Sequence, residues 1–145
     1  MARIKIEFPE AGLFETEIEI RISDINYGGH LGNDAVLSIA HEARVRFLAS
    51  MGYTEMNVEG ISIIMNDAAV IYRSEAVYGE MMRVEVGAAD AHRKGCDLLY
   101  RISCAADGRE VALVKTGIVF FDYAARRPVA APVRVFERLG LVSPQ

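Results

Sequence analysis

The chain has 145 residues, 52% of them hydrophobic and 25% charged, with a net charge of −4. That length fits one domain over residues 1–145 with enough apolar material for a sizeable core. The acidic balance argues against a nucleic-acid partner, which a basic face would serve, and no membrane partner is expected. The most apolar stretch, VALVKTGIVFF, is interrupted by Lys115 and is too short to cross a bilayer. The opening MARIKIEFPEAGLF lacks the apolar core of a signal peptide, and Glu7 and Glu10 are foreign to a transit peptide, so neither leader is expected, and a cytoplasmic protein is the expectation.

Residues 14 to 22, FETEIEIRI, alternate strictly, with Phe14, Thr16, Ile18, Ile20 and Ile22 on one face and Glu15, Glu17, Glu19 and Arg21 on the other. That period of two predicts a half-buried antiparallel strand. A glycine-spaced loop follows, DINYGGHLGN, in which Gly28, Gly29 and Gly32 serve backbone conformation or close approach of a ligand. Asp24, at the strand end, reads as an Asx-type turn former.

From Asn33 to Met51 the apolar positions Val36, Ala40, Ala43 and Phe47 recur with helical period. Leu37, Ile39 and Leu48 widen that arc and predict cover on more than one side. Asn33 or Asp34 suits the N-cap and Gly52 the end. Strands are then predicted over Ile61–Arg73, Met81–Ala89, Cys96–Cys104 and Glu110–Asp122, joined by tight turns as an antiparallel meander. Pro128 and Pro132 mark the exit, and Phe136 and Leu139 suggest a short terminal helix. Cys96 and Cys104 lie on one strand about 26 Å apart, too far for a bridge, and read as buried free thiols of a reducing compartment. The pattern as a whole is α+β: one long helix whose apolar face must bury against a curved antiparallel sheet.

Residues 24 to 52 resemble the 4-hydroxybenzoyl-CoA thioesterase-like branch of the hotdog proteins and, more distantly, the plant acyl-ACP thioesterases. The likeness is carried by Asp24, Gly29, His30, Leu31, Asn33, Glu42, Ala43, Arg44 and Gly52, with HEARVRFLASMG its most specific piece. It implies the hotdog fold, a five-stranded antiparallel sheet wrapped around one long helix. It implies an acyl-CoA thioesterase, with coenzyme A as part of the substrate and no separate cofactor, working as a homodimer or a dimer of dimers. Two positions depart from the family pattern. Asn26 stands where many members carry a catalytic aspartate, and Asp34 stands where a small uncharged residue is usual.

Thioester hydrolysis needs an activated water and a donor to the carbonyl. The backbone N–H groups near Asn33 and Asp34, at a helix N-terminus, suit the donor role. Asp34 or Glu42 comes first as the base, His30 second, and Asn26 as an orienting group. Each has a plainer reading: Asp34 as a helix cap, Glu42 as the i,i+4 partner of Arg46, His30 as a loop residue bonding backbone. His41 reads as packing or surface, and His92 as a solvated turn residue. Arg93 and Lys94, in the turn HRKG, fit the phosphates of coenzyme A, with Arg126 and Arg127 a second basic pair. Tyr27, Tyr53 and Tyr72 line an aromatic slot or simply pack. Three scattered histidines and two cysteines on one strand make no metal site. The competing readings are a hotdog enoyl-thioester hydratase or dehydratase, which DINYGGH partly resembles, and a non-catalytic acyl-thioester binder that lost its carboxylate at Asn26.

Overall fold

The computed structural model describes residues 3–144. Its elements run β1 (Phe14–Glu19), α1 (Asn33–Ser50), β2 (Ser62–Tyr72), β3 (Met81–His92), β4 (Gly95–Cys104), β5 (Glu110–Asp122), β6 (Arg127–Pro128) and α2 (Val133–Arg138). The sheet has the order β1-β3-β4-β5-β2 and is antiparallel throughout. The expected α+β hotdog architecture is therefore present. A sixth, two-residue strand, β6, folds back on the end of β5.

The strand order differs from the predicted meander at one place. Strands β3, β4 and β5 do follow one another, but β2 pairs with β5 at the far edge of the sheet. Residues 73–80 are the reason. This segment is a crossover past the ends of β4 and β5, fastened at each step. The Arg73 and Ser74 N–H groups donate to the Val111 carbonyl, Leu31 N–H donates to the Ala76 carbonyl, and Gly79 N–H donates to the Ile20 carbonyl.

The predicted alternation of β1 holds over Ile18 and Ile20, both buried, while Ile22 is exposed. There the chain leaves the sheet in a 3₁₀ turn, Ile22–Asp24, closed by the Arg21 N–H donating to Asp24 Oδ2 at 2.8 Å. The buried carboxylate of Asp24 thus ends the strand and starts the loop, as its turn-forming reading required. On α1, Val36, Ile39, Ala40, Ala43, Phe47 and Leu48 are buried against the sheet, whereas Leu37 is exposed. The zero exposure of Ala40 and Ala43 shows where small side chains let the helix axis close on the strands. Cys96 and Cys104 are both free and buried. Burial pushes the Cys96 thiol up to about 12, so it stays protonated and unreactive.

The centre of α1 holds a buried charge. Arg44 donates from Nε to Glu55 Oε2 at 2.9 Å and from Nη1 to the Tyr100 hydroxyl at 3.1 Å. Tyr100 is linked onward to Thr116 on β5, and His41 Nε2 lies 2.8 Å from the other Glu55 oxygen. Burial alone would raise the Glu55 carboxyl, but the hydrogen bonds from Arg44 and His41 outweigh it and hold it below the ordinary carboxylate value. Arg44, of the helix motif, is thus a fastener between helix, sheet and the loop after α1.

Candidate active site

The loop from Asp24 to Gly32 is folded around the side chain of Asn26. Its Oδ1 accepts the N–H groups of Gly28 at 2.9 Å and His30 at 3.2 Å. The backbone closes the same loop, with Asn26 N–H donating to the His30 carbonyl and Gly29 N–H to the Asn26 carbonyl. Gly29 sits at φ +85°, a conformation that disfavours any side chain. An aspartate at position 26 could accept the same two N–H groups. The loop-forming role survives the change to asparagine, and what is lost is the capacity to accept a proton.

The loop delivers the chain to α1 through Gly32, and here the predicted cap is displaced by one residue. Gly32 is the N-cap, with φ −70° and ψ 150°, and no side chain caps the helix. Gly32 N–H is tied to the Asp24 carbonyl at 2.9 Å, which fixes the entry angle and makes Asn33 the first helical residue. Neither the Asn33 nor the Asp34 N–H has a backbone acceptor among the described residues. Two donors at the positive end of an 18-residue helix are therefore left pointing outward. Asn33 is held from below by the Tyr72 hydroxyl, which donates to its carbonyl at 3.1 Å.

The sequence-derived residues gather unequally around this point. Asp34 is exposed, and its Oδ1 lies 2.8 Å from where a Cβ on Gly32 would be, with Asn26 Cβ 3.8 Å from the same position. On the other side of Asn26, a Cβ on Gly28 would lie 3.3 Å from Asn26 Oδ1 and 4.0 Å from His30 Nδ1. Gly32 therefore leaves room for the Asp34 carboxylate and Gly28 for the Asn26 amide oxygen, and a side chain at either position would crowd them. Glu42 does not join them. It lies on the same polar stripe, but eight residues beyond Asp34, about 12 Å along the axis. Its carboxylate accepts from Arg46 Nε at 3.0 Å, and Arg46 in turn donates to Thr16 Oγ1 and to the Glu17 carbonyl, each at 2.8 Å. Glu42 helps line an open cleft of about 410 Å³ with Ser38, Arg46 and Asp24, beside β1.

Two residues that the sequence gave no means of placing also reach the site. His30 Nε2 lies 3.1 Å from Glu75 Oε2, on the crossover between β2 and β3. Arg109, at the start of the β5 hairpin, donates to the Glu75 carbonyl from Nε at 3.3 Å and Nη2 at 3.1 Å. Of the three tyrosines, Tyr27 is wholly exposed on the loop and Tyr72 supports Asn33. Tyr53 is buried at the other end of α1, its hydroxyl bonded to Glu59.

Arg93 and Lys94 lie at the far end of the molecule. They occupy the turn between β3 and β4, and Gly95 pairs with Val119 while Tyr72 pairs with Ala112, so the helix N-terminus and this turn are at opposite ends of the sheet. The Ala131 N–H donates to the Arg93 carbonyl at 2.9 Å, which draws the β6 segment over the turn. Arg93, Lys94 and Arg127 consequently line one cleft of about 370 Å³. Among the described residues none of the three forms a salt bridge, and the neighbouring Arg126 forms none either. No group of three or more His, Cys, Asp or Glu among the described residues is placed to hold a metal. No described helix is long and apolar enough to cross a membrane.

Residues 20–139 match the model of the thioesterase-like superfamily. No curated protein matches the chain significantly. Among solved structures, the chain is similar to Slr0204, a 1,4-dihydroxy-2-naphthoyl-CoA thioesterase from Synechocystis, at 20% identity and a TM-score of 0.79, over 88% of this chain and 95% of that one. It is also similar to PA2801, a thioesterase-like protein from Pseudomonas aeruginosa, at 19% identity and a TM-score of 0.78, over 88% and 98% of the two chains. YbaW from Escherichia coli, named a probable thioesterase, aligns at 20% identity and a TM-score of 0.70, over 86% and 95%.

Proposed function

The chain belongs to the thioesterase-like superfamily and is a thioester hydrolase, and from that premise we propose that its substrate is an acyl group carried on coenzyme A. One observation carries the reading of the site: the start of α1 after Gly32, where the Asn33 and Asp34 N–H groups have no backbone acceptor among the described residues. As water adds to the thioester carbonyl, negative charge builds on its oxygen. Preorganised N–H donors at a helix N-terminus stabilise that charge more than they stabilise the substrate. The Nδ2 group of Asn26, whose Oδ1 is already occupied, orients the carbonyl or the water. The proton of the water passes to Asp34 or His30, the two titratable groups beside Asn26. Glu42, tied to Arg46 two turns further along, has a different task.

The cleft of Arg93, Lys94 and Arg127 receives the phosphates of coenzyme A. In one chain it lies at the opposite end of the sheet from the thioester site, with Val119 beside Gly95 and Ala112 beside Tyr72 roughly 23 Å apart along β5. Strand β2 supplies the remedy. It is an edge strand, with Asn66, Asp67 and Ala68 exposed. Two copies joined antiparallel along β2 bring the partner's basic cleft toward the α1 N-terminus, so the working unit is a homodimer or a dimer of dimers. Coenzyme A enters as part of the substrate, not as a resident cofactor. The buried free thiols support a cytoplasmic setting.

The test is release of free thiol from a panel of short, long and aromatic acyl-CoAs, with Arg93→Glu/Lys94→Glu measured beside the unaltered chain. Turnover is expected, with KM raised at least about tenfold by the double reversal and kcat little changed. No release from any acyl-CoA sinks the reading. Turnover by a species that sediments as a monomer sinks its dimeric part.

A further inference from the structure

We propose that Tyr72 is a positioning residue of the reaction, whose hydroxyl, bonded to the Asn33 carbonyl, directs and strengthens the Asp34 N–H as a donor to the developing oxyanion; the inference rests on the thioester-hydrolase reading above. The Asn33 carbonyl and the Asp34 N–H belong to one planar peptide unit, so a bond that fixes the oxygen also fixes the direction of the N–H. The same bond draws electron density toward the oxygen, and the N–H of a unit polarised in this way donates more strongly. The Tyr72 hydroxyl donates to that carbonyl at 3.1 Å. A carbonyl oxygen has two lone pairs, and the intrahelical bond from residue 37 occupies one, which leaves the other for Tyr72.

The start of α1 is fastened one peptide unit at a time. The Leu31–Gly32 unit is held by its N–H, which donates to the Asp24 carbonyl at 2.9 Å. The Gly32–Asn33 unit is held by its carbonyl, which accepts the Ala35 N–H at 3.1 Å. The Asn33–Asp34 unit is held from the sheet by Tyr72, and among the described residues no other side chain bonds the backbone of this first turn. Tyr72 stands on a firm base for the purpose. It closes β2, where it pairs with Ala112 of β5. Directly after it, the Arg73 N–H donates to the Val111 carbonyl at 2.8 Å and the Ser74 hydroxyl to the Glu110 carbonyl at 2.7 Å. The ring itself is half-exposed, so its one neutral hydrogen bond adds little to stability.

The effect belongs to the transition state. In the bound substrate the thioester oxygen is a weak acceptor. As water adds, negative charge gathers on that oxygen, and the strength and aim of the donor count for more. Tyr72 therefore acts on kcat rather than KM, and it does so through the peptide, without touching a reacting atom. An oxyanion donor is worth about 10²-fold in kcat, and 30% of that on a logarithmic scale, the upper figure for strengthening by a linked hydrogen bond, is about fourfold.

Tyr72→Phe tests this, because it removes the hydroxyl and keeps the ring. Thiol release from the best acyl-CoA of the panel is measured for the unaltered chain, Tyr72→Phe, Asn33→Pro, Asp34→Pro and the two variants that combine Tyr72→Phe with a proline. Tyr72→Phe alone is expected to lower kcat about fourfold, with KM unchanged and the thermal midpoint within a few degrees. Added to Asp34→Pro, which has no N–H left to strengthen, it is expected to cost nothing more. Added to Asn33→Pro, which keeps the Asp34 N–H, it is expected to cost about the same fourfold again. Full kcat in Tyr72→Phe overturns the inference, and that single variant decides it even where a proline variant does not fold. A raised KM with kcat unchanged also overturns it and makes Tyr72 a contact for the substrate. Equal further losses in both proline backgrounds overturn the route through the Asn33–Asp34 peptide. Absence of release by the unaltered chain overturns the hydrolase reading, whereas release that Tyr72→Phe leaves intact overturns this inference alone.

Discussion

The two ends of α1 are finished in opposite ways. At the C-terminal end the carbonyls of Phe47, Leu48, Ala49 and Met51 are all taken up. Met51 and Tyr53 N–H donate to the Leu48 carbonyl, Gly52 N–H to that of Ala49, and the Ser50 hydroxyl to that of Phe47. Arg138 of α2 adds a bond to the Met51 carbonyl at 2.9 Å and stacks on the Tyr53 ring. Gly52, at φ +81°, makes the turn. At the N-terminal end Gly32 caps nothing with a side chain, and two N–H groups are left without backbone acceptors. A helix that needed only stability would carry a serine or aspartate cap there, worth about 1 kcal/mol. The contrast separates an end of the helix that is fastened to the rest of the fold from one whose backbone donors are left open.

The largest effect is expected from closing the open end without disturbing the helix. Proline is tolerated in the first turn, where its missing N–H has no helical partner to lose. Asn33→Pro and Asp34→Pro each remove one outward donor. At least one should lower kcat by about 10²-fold or more, about 3 kcal/mol of transition-state stabilisation, while the thermal midpoint stays within a few degrees. Comparing Asp34→Pro with Asp34→Asn separates the loss of the N–H from the loss of the carboxylate. Full activity in both proline variants would mean that the open end serves some other purpose.

The same contrast explains what could be read in advance. Short-range pattern was enough for the elements themselves. Alternation placed Ile18 and Ile20 in the core, and helical spacing placed Val36, Ala40, Ala43 and Phe47 there. The glycine-spaced segment before α1 was legible as a loop for the same local reason. Long-range pairing was not legible. The position of β2 beside β5 depends on where residues 73–80 cross, and the meander prediction assumed that neighbours in sequence pair in space. Glu75 sits in a stretch that reads as a plain turn, so its contact with His30 had no local signal. Arg127 joins Arg93 and Lys94 only because the β5–β6 hairpin folds over the β3–β4 turn. Glu42 had two equally local readings, and the contact with Arg46 favours the plainer one.

Breaking the closed half of the molecule should have the reverse signature, with stability lost and chemistry kept. Glu55, in the loop beyond α1, reaches back to the buried Arg44. Glu55→Ala leaves that guanidinium with the Tyr100 hydroxyl alone and is expected to cost about 3 kcal/mol in urea denaturation. The effect should depend on pH. Because hydrogen bonds from Arg44 and His41 outweigh burial, the folded Glu55 carboxyl lies below its unfolded value. Its contribution is therefore complete above the ordinary carboxylate range and is lost as pH falls through the folded value. The difference between Glu55→Ala and the unaltered chain should shrink steadily as the medium is acidified into that range. A difference that stays constant would show that the carboxylate charge is not what holds Arg44.

The smallest effect is expected at Glu42, and it marks where the open end stops. Glu42 shares the polar stripe of Asp34 but is held by Arg46, whose other bonds reach β1 at Thr16 and Glu17. Both charges of the pair are about half exposed, so its contribution is that of a surface i,i+4 pair, about 0.3–0.5 kcal/mol. Glu42→Gln should shift the urea midpoint by no more than that, and the shift should vanish at high salt. Thiol release should be unaltered. A fall in kcat comparable with that of a proline variant would extend the reactive region two turns down the helix. It would then reach the cleft that Ser38, Glu42 and Arg46 share with Asp24, and Arg46 would have to be read as a ligand for the substrate as well as a tie to β1.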